Sequence, residues 1–465
     1  MQISDSSEGQ GGPLRALRHT NFRLFWSGQL LSLIGTWMQN IAQNWLIVVL
    51  ADPTAALNSL HHGSAAAAAA QNASAAVQAT ANRYSGEVNF WGGVPVLALT
   101  LFAGVLIDRI NKRRLLVCTQ IGMMLCALVL GLLIRRGTVT VFDVMAVAFA
   151  GGLLMAFDLP TRQSFIVELV GRKDLPSAVA LNSSMFNSAR AVGPAVAGFL
   201  LAQNVSLADC FFLNAASYIL VLAGILLMRG KNLGAPVQVE SDGSRRAHPI
   251  ENLKEGLRFA WGNHTARNVM LLVGCIGIFG VSYNVIIPTF VRFWLLPHAT
   301  NAYQVRTFGY LETVRGLGAL CAAISVALFT RADRYKYLLI GGSMLSNILL
   351  LFFARERSME IAYFTMAAVT GGFILIFATA NTIMQMTIPD QLRGRVMSIY
   401  TLVFVGSGPI GSLMIGLLAQ YIGASWAILS FAAVTLAGCL FIAFRPGGLL
   451  SIRVGEAPPA RSDSR

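Results

Sequence analysis

Charged side chains are rare in the long apolar segments of this sequence, and Arg190, Glu312 and Arg315 lie deepest inside them. An arginine at the centre of a membrane-spanning helix costs about 2.5–3.5 kcal/mol, so each charge needs a counter-charge or a water-filled cavity. Glu312 and Arg315 are three residues apart and therefore share one helical face. Two arrangements remain open. In the first, Arg190 and Glu312 exchange partners during a conformational change. In the second, Glu312 pairs with Arg315 while Arg190 bonds main-chain carbonyls.

A denser group of charges lies between two apolar runs, in the stretch D108-R-I-N-K-R-R114. A carboxylate at a helix end can interact with the positive N-terminus of a facing helix, which is the role considered for Asp108. Asp158, at the end of a later apolar run, can pair with Arg113 or Arg109. The alternative is that the basic residues only hold this connection on the cytoplasmic side of a membrane.

Polar and aromatic residues inside apolar runs are candidates for a substrate cavity, because amides in hydrocarbon must turn toward partners or water. The run T36-W-M-Q-N-I-A-Q-N-W45 places several amides on one helical face, and helix-breaking Pro288 follows a second polar group. The tryptophan and tyrosine rings could stack on an aromatic or amphipathic ligand. Polar packing between helices is the alternative. The candidates are Trp37, Asn40, Gln43, Tyr283, Asn284, Asn381 and Gln385.

The composition excludes several classes of function. Of the 465 residues, 55% are hydrophobic and only 12% are charged, whereas soluble domains carry about 25% charged residues. The net charge of +14 is spread between apolar runs rather than gathered in one patch, so nucleic acid is not expected as a partner. The six cysteines are scattered, and no phosphate-binding loop, zinc spacing or nucleophile–base pair occurs. We therefore expect no catalysis, no cofactor and no metal.

The apolar runs predict the architecture. Crossing a bilayer takes about 20 residues in a helix, and on that scale the sequence predicts an all-α membrane protein with twelve transmembrane helices. These are 26–50, 89–107, 115–134, 143–160, 177–202, 209–228, 268–295, 308–330, 337–354, 359–385, 397–420 and 425–444.

The two halves of the chain repeat. A150-G-G-L-L-M-A-F157 matches T370-G-G-F-I-L-I-F377, and A191-V-G-P-A-V-A-G198 matches G406-S-G-P-I-G-S-L413, at nearly the same spacing. A duplicated unit of six helices is typical of secondary transporters. The expected organisation is a cytoplasmic N-terminal segment 1–25, a six-helix bundle 26–228 with an Ala-rich external insert 51–88, a cytoplasmic linker 229–267, a pseudo-symmetric six-helix bundle 268–444, and a cytoplasmic tail 445–465.

Basic residues set the expected orientation. With both termini in the cytoplasm, most of the 35 Lys and Arg residues fall on the cytoplasmic side, as the positive-inside rule requires. The sequence thus predicts a multi-pass protein of the cell's inner membrane. The insert 51–88 is too polar to span, and we expect it to be partly helical and partly mobile.

Several of these motifs resemble a known family. G104-V-L-I-D-R-I-N-K-R-R114 is similar to the signature loop of the major facilitator superfamily, and G193-P194 resembles the glycine–proline signature of its exporters. L14-R-A-L-R-H-T-N-F-R-L-F-W-S-G-Q29 and N187-S-A-R-A-V-G-P194 resemble its transmembrane-secretion-effector branch, which includes enterobactin exporters and macrolide efflux proteins. The resemblance covers about 14–445 except the insert.

The resemblance implies more specific expectations. The first, fourth, seventh and tenth helices would line a central cavity, and the fifth would face the eighth, which carries Glu312. Asp108 would meet the helix that begins near P389-D-Q-L-R-G-R395, so that Asp108, Arg109, Arg113 and Asp158 form a latch of the outward-open state. The first helix holds no acidic residue, so a coupled proton would be carried by Glu312, Asp158 or Asp108.

The expected function is secondary-active export of amphipathic small molecules, siderophore-like or drug-like, by alternating access with proton antiport. The expected partners are the substrate, protons and membrane lipids, and the protein is expected to be a monomer. A lipid or lysophospholipid translocator on the same fold is the first alternative. A non-transporting membrane sensor or scaffold is the second, although such a protein has no need of charges inside the membrane.

Overall fold

The computed structural model describes residues 14–52, 66–107, 110–203, 205–230, 249–329, 335–389 and 392–451. These residues form helices and turns and contain no strand, which confirms the predicted all-α class. A short 3-10 turn, Arg15–Arg18, precedes the first long helix. The helices are α1 Thr20–Leu50, α2 Ala66–Ile107, α3 Lys112–Arg136, α4 Val141–Ala202, α5 Leu207–Leu227, α6 Pro249–Gly262, α7 His264–Leu295, α8 Asn301–Phe329, α9 Tyr335–Phe353, α10 Met359–Thr387, α11 Arg393–Ile422 and α12 Ala424–Phe444.

Local sequence explains where several helices begin and end. Thr140 and Asp143 form a reciprocal capping box that starts α4, and Ser206 and Asp209 do the same for α5. Each box satisfies main-chain amides that the first helical turn leaves without partners. Gly137 ends α3 with φ of 69°, a left-handed conformation that glycine adopts without steric cost.

Helix α4 contains a break. Gly171 has φ of 68° and ψ of 171°, so the 62-residue helix consists of a segment up to Gly171 and a second segment that ends at Ala202. Only glycine reaches this backbone conformation without strain. The two segments contain the predicted spans 143–160 and 177–202.

Helix α7 is irregular over most of its length. It is a regular α-helix up to Cys275, then π-helical over Ile276–Gly280 and a 3-10 helix over Ser282–Ile286. Pro288 begins a short α-helical turn, and Val291–Leu295 is again π-helical. The predicted proline break is therefore part of a longer distorted stretch, which changes the directions of the side chains from Tyr283 onward.

The chain forms two compact units. Unit 1 comprises Met1–Leu46 and Val94–Glu240, and unit 2 comprises Ile47–Gly93 and Ser241–Arg465. Buried aromatic rings stabilise each unit. In unit 1 Phe25 packs edge-on to Phe165 with 6.0 Å between the ring centres, and in unit 2 the ring centres of Phe290 and Phe353 are 4.8 Å apart. The first two boundaries between the units fall inside helices. Helix α1 belongs to unit 1 up to Leu46, and α2 belongs to unit 2 up to Gly93.

Eight helical segments in the described part of the chain are long and apolar enough to cross a membrane. They are α3, the first segment of α4, α5, α7, α9, α10, α11 and α12. The other predicted spans, 26–50, 89–107, 177–202 and, up to residue 329, 308–330, also lie on helices. These four spans carry amides, hydroxyls and the deepest charges. The count of twelve transmembrane helices stays a prediction.

The insert 51–88 and the linker 229–267 both contain helix. Helix α2 runs without interruption from Ala66, which fits the expected helical part of the insert, while 53–65 lie outside the described residues. Alanine favours helix, and the polar Asn82 and Ser85 are buried rather than solvated. The linker contains a further helix, α6, whose apolar residues recur at a helical period.

Candidate functional site

The most buried charge in unit 2 is the centre of a side-chain cluster. Arg315 of α8 is only 5% exposed, and its Nη1 donates to the Glu312 carboxylate. Its Nη2 donates to the amide oxygen of Asn284, and its Nε donates to the Thr370 hydroxyl at 3.4 Å. The guanidinium carbon lies 5.5 Å from the centre of the Tyr283 ring. Three helices, α7, α8 and α10, thus converge on one cation, and we call these five residues the Arg315 cluster.

Glycine contacts allow α8 and α10 to approach closely beside this cluster. A Cβ atom at Gly318 would lie 2.2 Å from the carbonyl oxygen of Ala367, and one at Gly371 would lie 2.9 Å from that of Gly318. Neither position can therefore accept a side chain without moving a helix. Gly371 follows Thr370, so the close approach places the threonine hydroxyl within reach of Arg315.

The 3-10 stretch of α7 supplies the third side of the cluster. Tyr283 is buried and lies 6.3 Å from Phe373 of α10, measured between ring centres. Asn284, the next residue, turns its amide to Arg315. The sequence predicted Glu312, Arg315, Tyr283 and Asn284 as functional residues for separate reasons, and the structure brings them together.

Glu312 pairs with Arg315, which is one half of the second arrangement considered for the deep charges. The pair is electrically neutral as a whole, which offsets much of the cost of burying either charge. The Glu312 side chain retains 18% of its exposure, so water or a proton can reach it.

Arg190 lies in unit 1, where its guanidinium carbon is 5.5 Å from the centre of the Trp37 ring. Gly193, one turn further along α4, packs on the same part of α1: a Cβ atom there would lie 2.4 Å from Cβ of Trp37. The glycine of G193-P194 is thus required for close packing. On the same helix as Trp37, Asn40 is exposed and Gln43 half-buried.

Asp158 is the centre of a second buried cluster, also in unit 1. Its Oδ1 accepts from the Thr119 hydroxyl at 2.8 Å and from the Gln120 amide at 2.7 Å, and Arg162 donates to its Oδ2. We call these four residues the Asp158 cluster. Arg162 was not predicted, although it is four residues from Asp158 in the same helix, a spacing that favours an ion pair.

The predicted pairing of Asp158 with Arg113 is therefore not the one in the structure. Arg113 instead donates from Nε to the carbonyl of Ile225 at 3.2 Å, and from Nη2 to those of Leu226 and Met228. The last carbonyls of a helix have no intrahelical partners, which makes the end of α5 a good acceptor for a cation. Asp108 and Arg109 lie outside the described residues.

The N-terminal turn is held on unit 1 near the break in α4. Arg15 and His19 contact the Asp174 carboxylate at 2.9 and 2.7 Å. The hydrogen bond with His19 is the main cause that lowers the pKa of Asp174, and the charge of Arg15 adds to it. Because the pKa of Asp174 is lowered, the contact is complete at neutral pH. It is lost as the pH falls through the pKa of Asp174 in the folded protein. The motif L14–Q29 thus has a structural role.

Unit 2 contains polar contacts that sequence reasoning missed. Arg292 of α7 donates to Asp52, just after α1, at 2.8 Å. Thr289 donates to the Asn82 side chain at 2.5 Å, and Asn82 donates to the carbonyl of Ala419 at 3.0 Å. A Cβ atom at Gly86 would lie 2.7 Å from the carbonyl of Ser412, so α2 and α11 also touch closely.

These contacts were missed because the Ala-rich composition of 51–88 pointed to a solvated insert. The spacing of four between Asn82 and Gly86 was the available signal, since it places a polar and a small residue on one helical face.

Asn381 and Gln385, the remaining cavity candidates, lie on α10 about three and about four turns beyond Thr370. Asn381 is half-buried and Gln385 is exposed. Neither contacts the Arg315 cluster. Among the described residues, no group of three His, Cys, Asp or Glu side chains could hold a metal ion.

Long apolar helices, a helix distorted within its span and a buried ion pair are together characteristic of a multi-pass membrane transporter. The chain belongs to the transmembrane secretion effector family of the major facilitator superfamily, since the profile of that family matches residues 11–447. The predicted resemblance is thereby confirmed, and the family consists of transporters rather than enzymes.

Characterised relatives support the same class. The chain is 24% identical over 403 residues to the staphyloferrin A transporter of Staphylococcus aureus, which covers 86% of this chain and 90% of the relative. It is 24% identical over 341 residues to the multidrug efflux pump Tap of Mycolicibacterium fortuitum, covering 71% and 80%. The crystal structure of the nucleoside transporter NupG superposes with a TM-score of 0.63 at 12% identity, covering 92% of this chain and 99% of NupG. This last likeness shows the fold alone.

Proposed function

We propose that this protein exports amphipathic small molecules, siderophore-like or drug-like, by alternating access with proton antiport. Membership of a family of transporters and relatives named for a siderophore and for multidrug efflux support the direction and the substrate class. We further propose that twelve helices cross the membrane in two six-helix bundles, 26–228 and 268–444, with both termini in the cytoplasm. The protein would work as a monomer in the inner membrane.

The Arg315 cluster is the observation on which the coupling proposal depends. Among the described residues, Glu312 accepts one hydrogen bond, from Arg315, and it is partly exposed, so it is the group that would take up a proton. Arg315 would still be held by Asn284 and Thr370. Protonation would then remove the counter-charge of Arg315 but leave it these two hydrogen bonds. The exchange of partners with Arg190 stays a proposal for another state of the cycle.

The substrate would bind among aromatic and amide side chains that the sequence places within apolar helices. Trp37 is half-buried and has Arg190 near its ring, so a planar ligand can stack there. Tyr283 is buried beside Arg315 in this structure and would have to become accessible in another state of the cycle. Asn40, Gln43, Asn381 and Gln385 would supply hydrogen bonds at the edges of the pocket.

A cytoplasmic latch would limit the cycle at the inner side. Asp108 and Arg109 would form this latch together with Arg113 and Asp158. In the structure Asp158 is paired with Arg162, and Arg113 donates to carbonyls at the end of α5. Asp108→Asn would then shift the equilibrium between inward- and outward-facing states.

The coupling proposal is tested by efflux from vesicles with and without an imposed pH gradient, using ethidium and a catecholate siderophore as probes. The unchanged protein should export faster with the gradient. Glu312→Gln should export at about the same rate in both conditions, because the proton site is gone. Glu360→Gln, which changes an exposed glutamate at the start of α10, is the matched control and should keep the response.

Two results would contradict parts of the proposal. A gradient response that survives in Glu312→Gln would remove Glu312 from coupling while leaving export intact. No efflux of either probe by the unchanged protein would refute the substrate class.

A further inference from the structure

Helix α6, which joins the two halves of the chain, has two different faces. Gly256 and Ala260 are buried, and a Cβ atom at Gly256 would lie 2.9 Å from Ile399 and 3.2 Å from the carbonyl of Arg395. This face is therefore packed tightly against the first turns of α11. Glu255 also forms an ion pair with Arg395, which fixes the helix there.

The opposite face of α6 is exposed and combines apolar with basic residues. Leu257 is 50% exposed and Trp261 is 62% exposed. Lys254 and Arg258 are also exposed, and the spacing of the four residues places them on one side of the helix. A tryptophan and a leucine flanked by cations form the pattern of helices that lie in the surface of a membrane.

The contacts of α6 place it along the boundary of the membrane. Its middle touches residues 395–399, the first turns of the apolar helix α11. Its end is joined through Asn263 to His264, where the apolar helix α7 begins, and Arg267 donates to the carbonyl of Trp261 at 3.2 Å. Because two separate points of α6 meet the starts of two membrane helices, the helix follows the water–lipid boundary rather than leaving it.

We propose that α6 is a membrane-surface element whose exposed face binds anionic phospholipid headgroups. Trp261 and Leu257 insert between the lipids at the level where tryptophan is enriched, and Lys254 and Arg258 bind the phosphates. Of the two acidic residues of α6, Glu255 is directed to Arg395. Glu251 precedes Lys254 by three residues, so the two cations leave this side of the helix with a net charge of +1. The same ion pair links lipid binding to the start of α11.

The test is photo-crosslinking of the full-length protein in vesicles of phosphatidylcholine and phosphatidylglycerol in known proportion. Trp261→p-benzoylphenylalanine places a crosslinker on the exposed face, and mass spectrometry identifies the lipid attached. We expect the anionic lipid in the adduct to exceed its share of the vesicle by about fivefold. Leu345→p-benzoylphenylalanine, an exposed position in the middle of α9 without nearby charges, is the control and should report the vesicle composition.

A second comparison isolates the charges. In the Trp261 crosslinking protein, Lys254→Gln with Arg258→Gln should reduce the enrichment to the vesicle composition. Lys336→Gln with Arg306→Gln, which removes a half-buried and an exposed charge elsewhere in unit 2, should leave it unchanged. Should the first double variant not fold, raising the ionic strength on the protein with both cations present should lower the enrichment in the same way.

Three results would overturn the inference. They are an adduct at position 261 with the bulk lipid composition, an adduct to a protein instead of a lipid, or enrichment that persists without both cations. None of these measurements depends on transport, so their outcome is independent of the proposed export function.

Discussion

Two of the buried ion pairs in the described part of the chain have opposite centres. In the Asp158 cluster the anion is central, because one carboxylate accepts from Thr119, Gln120 and Arg162. In the Arg315 cluster the cation is central, because one guanidinium contacts Glu312, Asn284, Thr370 and the Tyr283 ring.

This difference determines which carboxylate can exchange a proton. Neutralising Asp158 would leave Arg162, 8% exposed, without its counter-charge and would weaken two further bonds. Neutralising Glu312 also removes the counter-charge of Arg315, 6% exposed, but Arg315 keeps its hydrogen bonds to Asn284 and Thr370 and its contact with the Tyr283 ring. A buried acid that several partners contact therefore stabilises the fold. A buried acid that is one of several partners of a central cation can exchange a proton.

The largest effect is expected for Asp158→Asn. It leaves Arg162 buried and unpaired, which should lower the free energy of unfolding by about 3 kcal/mol. The midpoint of unfolding in mixed detergent measures this loss. Asp143→Asn, in the exposed capping box at the start of α4, is the control and should lose about 1 kcal/mol or less. Equal losses in the two variants would contradict a hub role for Asp158.

A smaller effect is expected for Arg315→Met. The loss should be about 2 kcal/mol, because Glu312 then lies unpaired but keeps some contact with water. Adding Glu312→Gln to this variant should restore part of the stability, since no charge is then left alone. A double-mutant cycle on the same unfolding assay measures the coupling. Purely additive losses would show that the two side chains do not act as a pair.

The smallest effect is expected for Glu312→Gln alone. Glutamine can still accept a hydrogen bond from Arg315, and the contacts with Asn284 and Thr370 remain. The free energy of unfolding should change by about 1 kcal/mol or less. A loss as large as that of Asp158→Asn would mean that Glu312 is structural, and the comparison between the clusters would fail.

Much of the architecture could be predicted because hydrophobic length is a local property. The predicted runs all lie on helices, and Pro288 marked the distorted part of α7. The contacts of the insert could not be predicted, for the opposite reason. The pattern around Asn82 and Gly86 is polar and small, and such a pattern is buried only where a neighbouring helix comes close enough to contact it.

The candidate site was predicted in its members but not in its contacts. Charges inside apolar runs are conspicuous, so Glu312, Arg315 and Arg190 could be found directly. Thr370 and Arg162 could not be ranked above other polar residues, because their importance depends on which neighbour faces them. Arg113 likewise had several possible acceptors, and the end of α5 became its partner through the packing of α3 on α5.

The sequence by itself determined the helical class, the membrane location, the family and the few positions where charge enters hydrocarbon, because apolar length and rare charges can be read without neighbours. Only the tertiary structure decided that Arg315 holds Glu312, that Asp158 holds Arg162 and that α6 turns Trp261 outward. The physical reason is that a side chain's partner depends on the rotation and separation of adjacent helices. Close glycine contacts such as Gly318 on Ala367 set those quantities across long stretches of chain.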